Sequence, residues 1–117
     1  MGTYRDLIAW QKSHELVLHV YELSKQFPSD ERFALTDQLR RAVLSVPTNV
    51  VEGHGSGSEG LFRHHLTIAR GSLAETRYLL HAATDLKYMT LAQYDVAEAI
   101  ASQASRLLTR LHQSLKP

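Results

Sequence analysis

The chain of 117 residues contains no cysteine. That excludes a disulfide scaffold and thiol chemistry, and it fits a reducing compartment. An excess of one charge is missing too, since 13 Lys and Arg stand against 12 Asp and Glu for a net of +1. A strongly basic balance would point to nucleic acid; here any basic surface has to be a local stripe. No apolar run approaches the ~20 residues that a membrane helix needs. The opening MGTYRDLIAW lacks the basic start and apolar stretch of a signal peptide, and Asp6 stands where a myristoylation motif wants Ser or Thr. A soluble, cytoplasmic protein without a membrane partner is expected. What is present is 44% hydrophobic residues, enough for one globular domain over residues 1–117.

The apolar residues repeat at helical spacing. Trp10, Ser13, Val17, Val20, Ser24 and Phe27 step by threes and fours along a first segment, with Leu16 and Leu23 widening the stripe. Pro28 ends it, because proline has no N–H to continue the ladder. A second stripe runs through Leu35, Leu39, Ala42, Val46 and Val50, with Pro47 inside it. Because the spacing carries on past Pro47, the expectation is a kink and not a break. Ser58 is a plausible N-cap for a third helix, whose stripe is Phe62, Leu66, Ala69, Leu73, Thr76, Leu80 and Ala83. Thr90 to Gln93 has capping-box form ahead of a fourth stripe, Ala97, Ile100, Ala104, Leu107 and Leu111. These patterns predict helices over about 6–27, 30–53, 59–87 and 91–115. Short links between them favour an all-α, antiparallel up-down-up-down four-helix bundle.

Chemistry-bearing motifs are scarce. Gly55 to Gly60 spells G-x-G-x-x-G, but a dinucleotide turn needs a strand before it and the preceding segment reads as helix. A phosphate loop fails as well, since Leu61 and Phe62 stand where Lys and Ser or Thr are required. The stretch is therefore a joint between helices, with Gly53 and Gly55 expected to supply the positive φ that ends one. The histidines do not form a metal pattern: His64 and His65 diverge by about 100° on a helix, His14 and His19 also diverge, and neither H-E-x-x-H nor E-x-x-H occurs. Glu15 and His19 fit a surface pair. With no G-x-S-x-G either, no enzyme, metal, cofactor or small-molecule substrate is expected.

Three polar or apolar rows remain. Arg63, Arg70 and Arg77 lie on one face of the third helix at seven-residue spacing, over about 21 Å. They suit either phosphates along a nucleic acid or ion pairs with a neighbouring helix. Glu15 and Glu22 repeat that spacing on the first helix and could match the arginines across a subunit contact. Gln38, Ser45, Asn49 and Glu52 flank the core stripe of the second helix, near Arg40 and Arg41. Such groups form either a structural network around Pro47 or a polar binding patch. Finally, Leu61, Ile68, Leu79 and Leu86 lie about 110° round the third helix from its core stripe, which means a wide core face or a subunit interface.

Several of these residues also carry a resemblance. Asp6-Leu7 with Trp10-Gln11-Lys12, Phe27-Pro28, the stretch 38-QLRRAVLSVPTNVVEGHG-55 and 68-IARGSLAE-75 resemble the four-helix bundle proteins encoded in intervening sequences of bacterial 23S rRNA genes. The accessory variability proteins of diversity-generating retroelements are similar. The likeness covers about residues 5–90, and the fourth helix matches in character only. It implies a bacterial, cytoplasmic, non-enzymatic bundle that assembles as a homo-oligomer, a pentameric ring. Together with the arginine row it points to RNA, DNA or a ribonucleoprotein as a partner, and Arg40, Arg41, Asn49 and Glu52 stand at motif positions. This chain departs from the pattern at Ser56 and Gly57, where the family often has basic residues, and at Leu61 and His65, where it usually has Glu and Phe. An interaction scaffold that binds no nucleic acid is the alternative.

Overall fold

The computed structural model describes residues 2–117. Its four α-helices are α1 (Ile8–Leu23), α2 (Leu35–Gly55), α3 (Glu59–Asp85) and α4 (Leu91–Ser114), and no strand occurs among the described residues. α1 packs on α2 and α4, and α3 packs on the same two, which closes a four-helix arrangement 43 × 25 × 22 Å in extent. Leu16, Val20, Leu39, Val43, Leu66, Leu73, Leu80 and Leu108 fill the centre, fully buried or nearly so. Ser13 and Thr76 share that core because each hydroxyl donates to a carbonyl one turn earlier, Ala9 O at 2.7 Å and Ser72 O at 2.8 Å.

Helix ends follow local chemistry. After α1 the chain tightens into a 3-10 turn, Ser24–Gln26, before Phe27 and Pro28. α2 begins at Leu35, not at residue 30. Ser29–Glu31 form a separate 3-10 turn instead, and Glu31 caps α2 from there. Its carboxylate accepts from the Leu35 N–H at 3.3 Å and from the Tyr88 hydroxyl at 2.7 Å, tying the α1–α2 link to the α3–α4 link. That second bond is the first cause that raises the Tyr88 phenol above its ordinary range.

α2 runs through Pro47 without a break. Pro47 leaves the Val43 carbonyl without its helical N–H, and in the next two positions Thr48 Oγ1 donates to Leu44 O at 2.7 Å and Asn49 Nδ2 to Ser45 O at 2.9 Å. The glycine joint differs from expectation in which glycine does what. Gly57 takes the left-handed conformation, at φ 71°, while Gly53 stays helical and buried. A Cβ on Gly53 would stand 2.8 Å from Phe62 Cδ1 and 2.9 Å from His65 Cβ, so this position lets α2 and α3 approach closely. Ser58 then caps α3 by accepting from the Leu61 N–H at 3.2 Å, and Thr90 with Gln93 forms the capping box of α4. Between these helices Lys87 sits at φ 67°, with Tyr88 N–H donating to Ala83 O and Lys87 N–H to Thr84 O, a Schellman end without glycine.

Candidate interaction surface

Side-chain bonds between α2 and α3 form a row. Gln38 Nε2 donates to Glu75 Oε2 at 3.2 Å, and the Ser45 and Ser72 hydroxyls meet at 2.9 Å. Asn49 Nδ2 donates to Ser45 Oγ at 3.0 Å, which leaves Asn49 Oδ1 to face His65 Nδ1 at 3.0 Å. Glu52 stands 3.7 Å from the same ring nitrogen. Two acceptors at one nitrogen favour the tautomer with the proton on Nδ1. Along this row residue numbers rise on α2 as they fall on α3. All four α2 residues singled out in the sequence thus touch α3, and the partners His65, Ser72 and Glu75 complete the set. His65 and Ser72 are seven apart, in register with Leu79 and Leu86.

The arginines are dispersed. Arg40 donates to Ser24 Oγ at 2.9 Å and lies over the Tyr21 ring, bracing α1 against α2. Arg41 pairs with Asp37 one turn away at 2.9 Å. Arg63 donates to the carbonyls of His112 and Leu115, at 3.2 and 3.1 Å, and so caps the end of α4. Arg77 pairs with Glu98 of α4. Arg70 has no carboxylate partner among the described residues, and it is exposed. Glu15 and Glu22 pair with Lys12 and Lys25 on their own helix, at 2.9 and 2.8 Å. Beside Arg63 and Arg70, the His112 imidazole is held below its ordinary range, first by burial and then by those two charges.

The apolar row on α3 splits. Leu79 is 5% exposed and belongs to the core, so it cannot serve at a subunit surface. It continues the His65–Ser72 row that faces α2, seven residues further on. Leu61, Ile68 and Leu86 are 51%, 40% and 52% exposed, and Tyr78, which the spacing did not suggest, is 67% exposed. Leu61, Ile68 and Leu86 share one side over about 38 Å, ending on the residue that follows α3, and Tyr78 lies about 80° round from Ile68 and Leu86. On the opposite side, α1 and α4 leave two open grooves. Leu7, Ile8, Ala9, Leu107 and Leu111 line one of ≈ 230 Å³; His19, Leu23, Gln26, Ala92 and Val96 line another of ≈ 470 Å³.

A model of the family described as "23S rRNA-intervening sequence protein" matches residues 5–110, from just before α1 into the last third of α4. This chain belongs to the 23S rRNA-intervening sequence protein family. The match reaches further than the sequence motifs did, so α4 is part of the family pattern. A member of the S23 ribosomal protein family from Bacteroides thetaiotaomicron VPI-5482, a protein of unknown function known from its crystal structure, superposes with a TM-score of 0.83. The two are 24% identical over 91% of this chain and 96% of that one, which establishes a shared fold. No curated protein matches the chain. Among the described residues of this family member, no three His, Asp or Glu side chains converge as metal ligands, and no helix is long and apolar enough to cross a membrane.

Proposed function

We infer that this 23S rRNA-intervening sequence protein is a non-enzymatic accessory bundle of the bacterial cytoplasm that works as a homo-oligomer, with a pentameric ring as its assembly. The observation that carries this reading is α3, where Leu61, Ile68 and Leu86 stand exposed on one side and exposed Tyr78 lies about 80° round from them. Large apolar side chains exposed along one helix of a small chain suit a surface that is covered in the working protein. Multi-angle light scattering tests it. The unmodified protein is expected to give a defined multiple of the chain mass, and Leu61→Glu with Ile68→Glu is expected to reduce it. A monomer for the unmodified protein at working concentration rejects the reading.

A second reading, RNA or a ribonucleoprotein as partner, is favoured by one place only. Among the described residues Arg70 has no carboxylate partner, and it lies with Arg63 close enough to the α3–α4 seam for both charges to act on the His112 imidazole. Phosphate contacts there make affinity fall as salt rises. Fluorescence anisotropy with a structured RNA at low salt is expected to show micromolar binding that Arg70→Glu weakens. No shift at low salt leaves the interaction scaffold as the better account.

A further inference from the structure

The outer face of α4 has a charge order that α3 lacks. Asp95 lies near its start and Arg106 and Arg110 near its end, all exposed, with exposed Ala99 between them. Asp95 and Arg106 are eleven residues apart, which is three turns plus about 20°, so they share one face at a separation of about 16 Å. The helix dipole does not account for this order, because its influence falls off within the first and last turn, and Arg106 stands two turns before Ser114. Among the described residues neither charge is neutralised. Asp95 has no cation in ion-pair range among the described residues, and Arg106 donates only to Ser102 Oγ, at 3.0 Å. The flanking charges of α1 do not disturb the pattern, since Lys12 with Glu15 and Lys25 with Glu22 are each paired. Two large apolar side chains beside Asp95, Leu91 and Val96, are 67% and 53% exposed.

We propose that α4 is a second self-association face, on which a copy of this chain docks antiparallel about a two-fold axis near residues 99–102. A two-fold contact joins a patch to itself, so a face that is acidic at one end and basic at the other is complementary to its own rotated copy. Asp95 of each chain then meets Arg106 of the other, and both pairs form at once. The small side chains of Ala99 and Ser102 let the helix axes approach at the centre. Leu91 is covered by the aliphatic stem of Arg110 from the other copy. This contact uses none of the α3 row and does not depend on it.

The absence of cysteine makes the test direct, because a single introduced thiol can only link two copies. Ala99→Cys is expected to cross-link under mild oxidation much faster than Arg41→Cys, a control on the outer face of α2 where the side chain is 80% exposed. In the Ala99→Cys background, Asp95→Arg or Arg106→Asp is expected to slow the cross-link about tenfold or more, since like charges then meet twice. Carrying both reversals together restores it, because each pair is re-formed with its signs exchanged. Ile68→Glu, which acts on the α3 face, leaves the cross-link unchanged, so failure of one contact is distinguishable from failure of the other. Cross-linking no faster than the control, or a double reversal as slow as either single one, overturns the proposal.

Discussion

The α2–α3 seam and the α1–α4 seam are built from the same kind of amphipathic helix, yet they are closed differently. Between α2 and α3, a glycine admits Phe62 and His65, and a chain of polar side chains from Gln38 to Glu52 is matched by acceptors and donors opposite. Along the α1–α4 seam the side-chain bonds gather at one end, where Gln26 of the turn after α1 meets Gln93 and the Tyr88 carbonyl, and grooves of ≈ 230 and ≈ 470 Å³ remain along the outside. The first seam is finished within the chain. The second has room for something further. A bundle with one sealed and one open seam is suited to hold its own shape on one side while offering the other for contact.

Adding bulk to each seam is the strongest way to break that contrast. Gly53→Leu is expected to cost about 3 kcal/mol, because its first side-chain atom already meets Phe62 and His65 below contact distance. Ala92→Leu, in the wall of the larger groove, is expected to change stability by less than about 0.5 kcal/mol. Urea denaturation of both variants checks the pair, and equal losses would remove the distinction between the seams. A smaller effect is expected from unpairing. Asn49→Leu strips partners from Ser45 and His65 in a half-buried site, for about 2 kcal/mol. Gln26→Ala, whose partners are all exposed to water, costs under about 1 kcal/mol in the same assay.

The smallest effect is a pH dependence at the third seam, between α3 and α4. Folding lowers the affinity of His112 for a proton, mainly by burial. Below the ordinary imidazole pKa of about 6.5 the unfolded chain therefore binds more protons than the folded one, and stability rises with pH in that window. The contribution is complete above that pH and is lost as pH falls toward the depressed folded value. His112→Gln is expected to flatten the acid side of a stability–pH profile measured by urea denaturation. A slope unchanged by His112→Gln would reject this assignment.

Much of the fold was readable residue by residue. Val17, Val20, Leu39, Val46, Val50, Leu66, Leu73, Ala97 and Ala104 are all buried where their spacing put them, because a three-four repeat can only mean one side of a helix. The start of α2 was not readable. Ser29-Asp30-Glu31 has the composition of a first turn, but the Glu31 carboxylate reaches the Leu35 N–H and the Tyr88 hydroxyl from a turn of its own, and Tyr88 is 57 residues away. The apolar row on α3 was readable as a row but not as a surface. Ile68 and Leu79 differ by about 20° around the helix, yet one is 40% exposed and the other 5%. Angle alone does not separate them; what lies over each end of the helix does.

The same limit applies to the charges, and it marks where sequence and tertiary structure divide the work for this protein. Spacing determined four helices, their inward faces, two of their caps and the regular seven-residue row of Arg63, Arg70 and Arg77, because each of these depends on residues within a few turns of one another. Only the packed structure decided that Arg63 caps α4, that Arg77 pairs with Glu98 and that Arg70 is left to solvent. The helical repeat sets the direction in which a side chain leaves its own helix. Whether it meets a carbonyl, a carboxylate or water depends on a second helix whose register the first one does not encode.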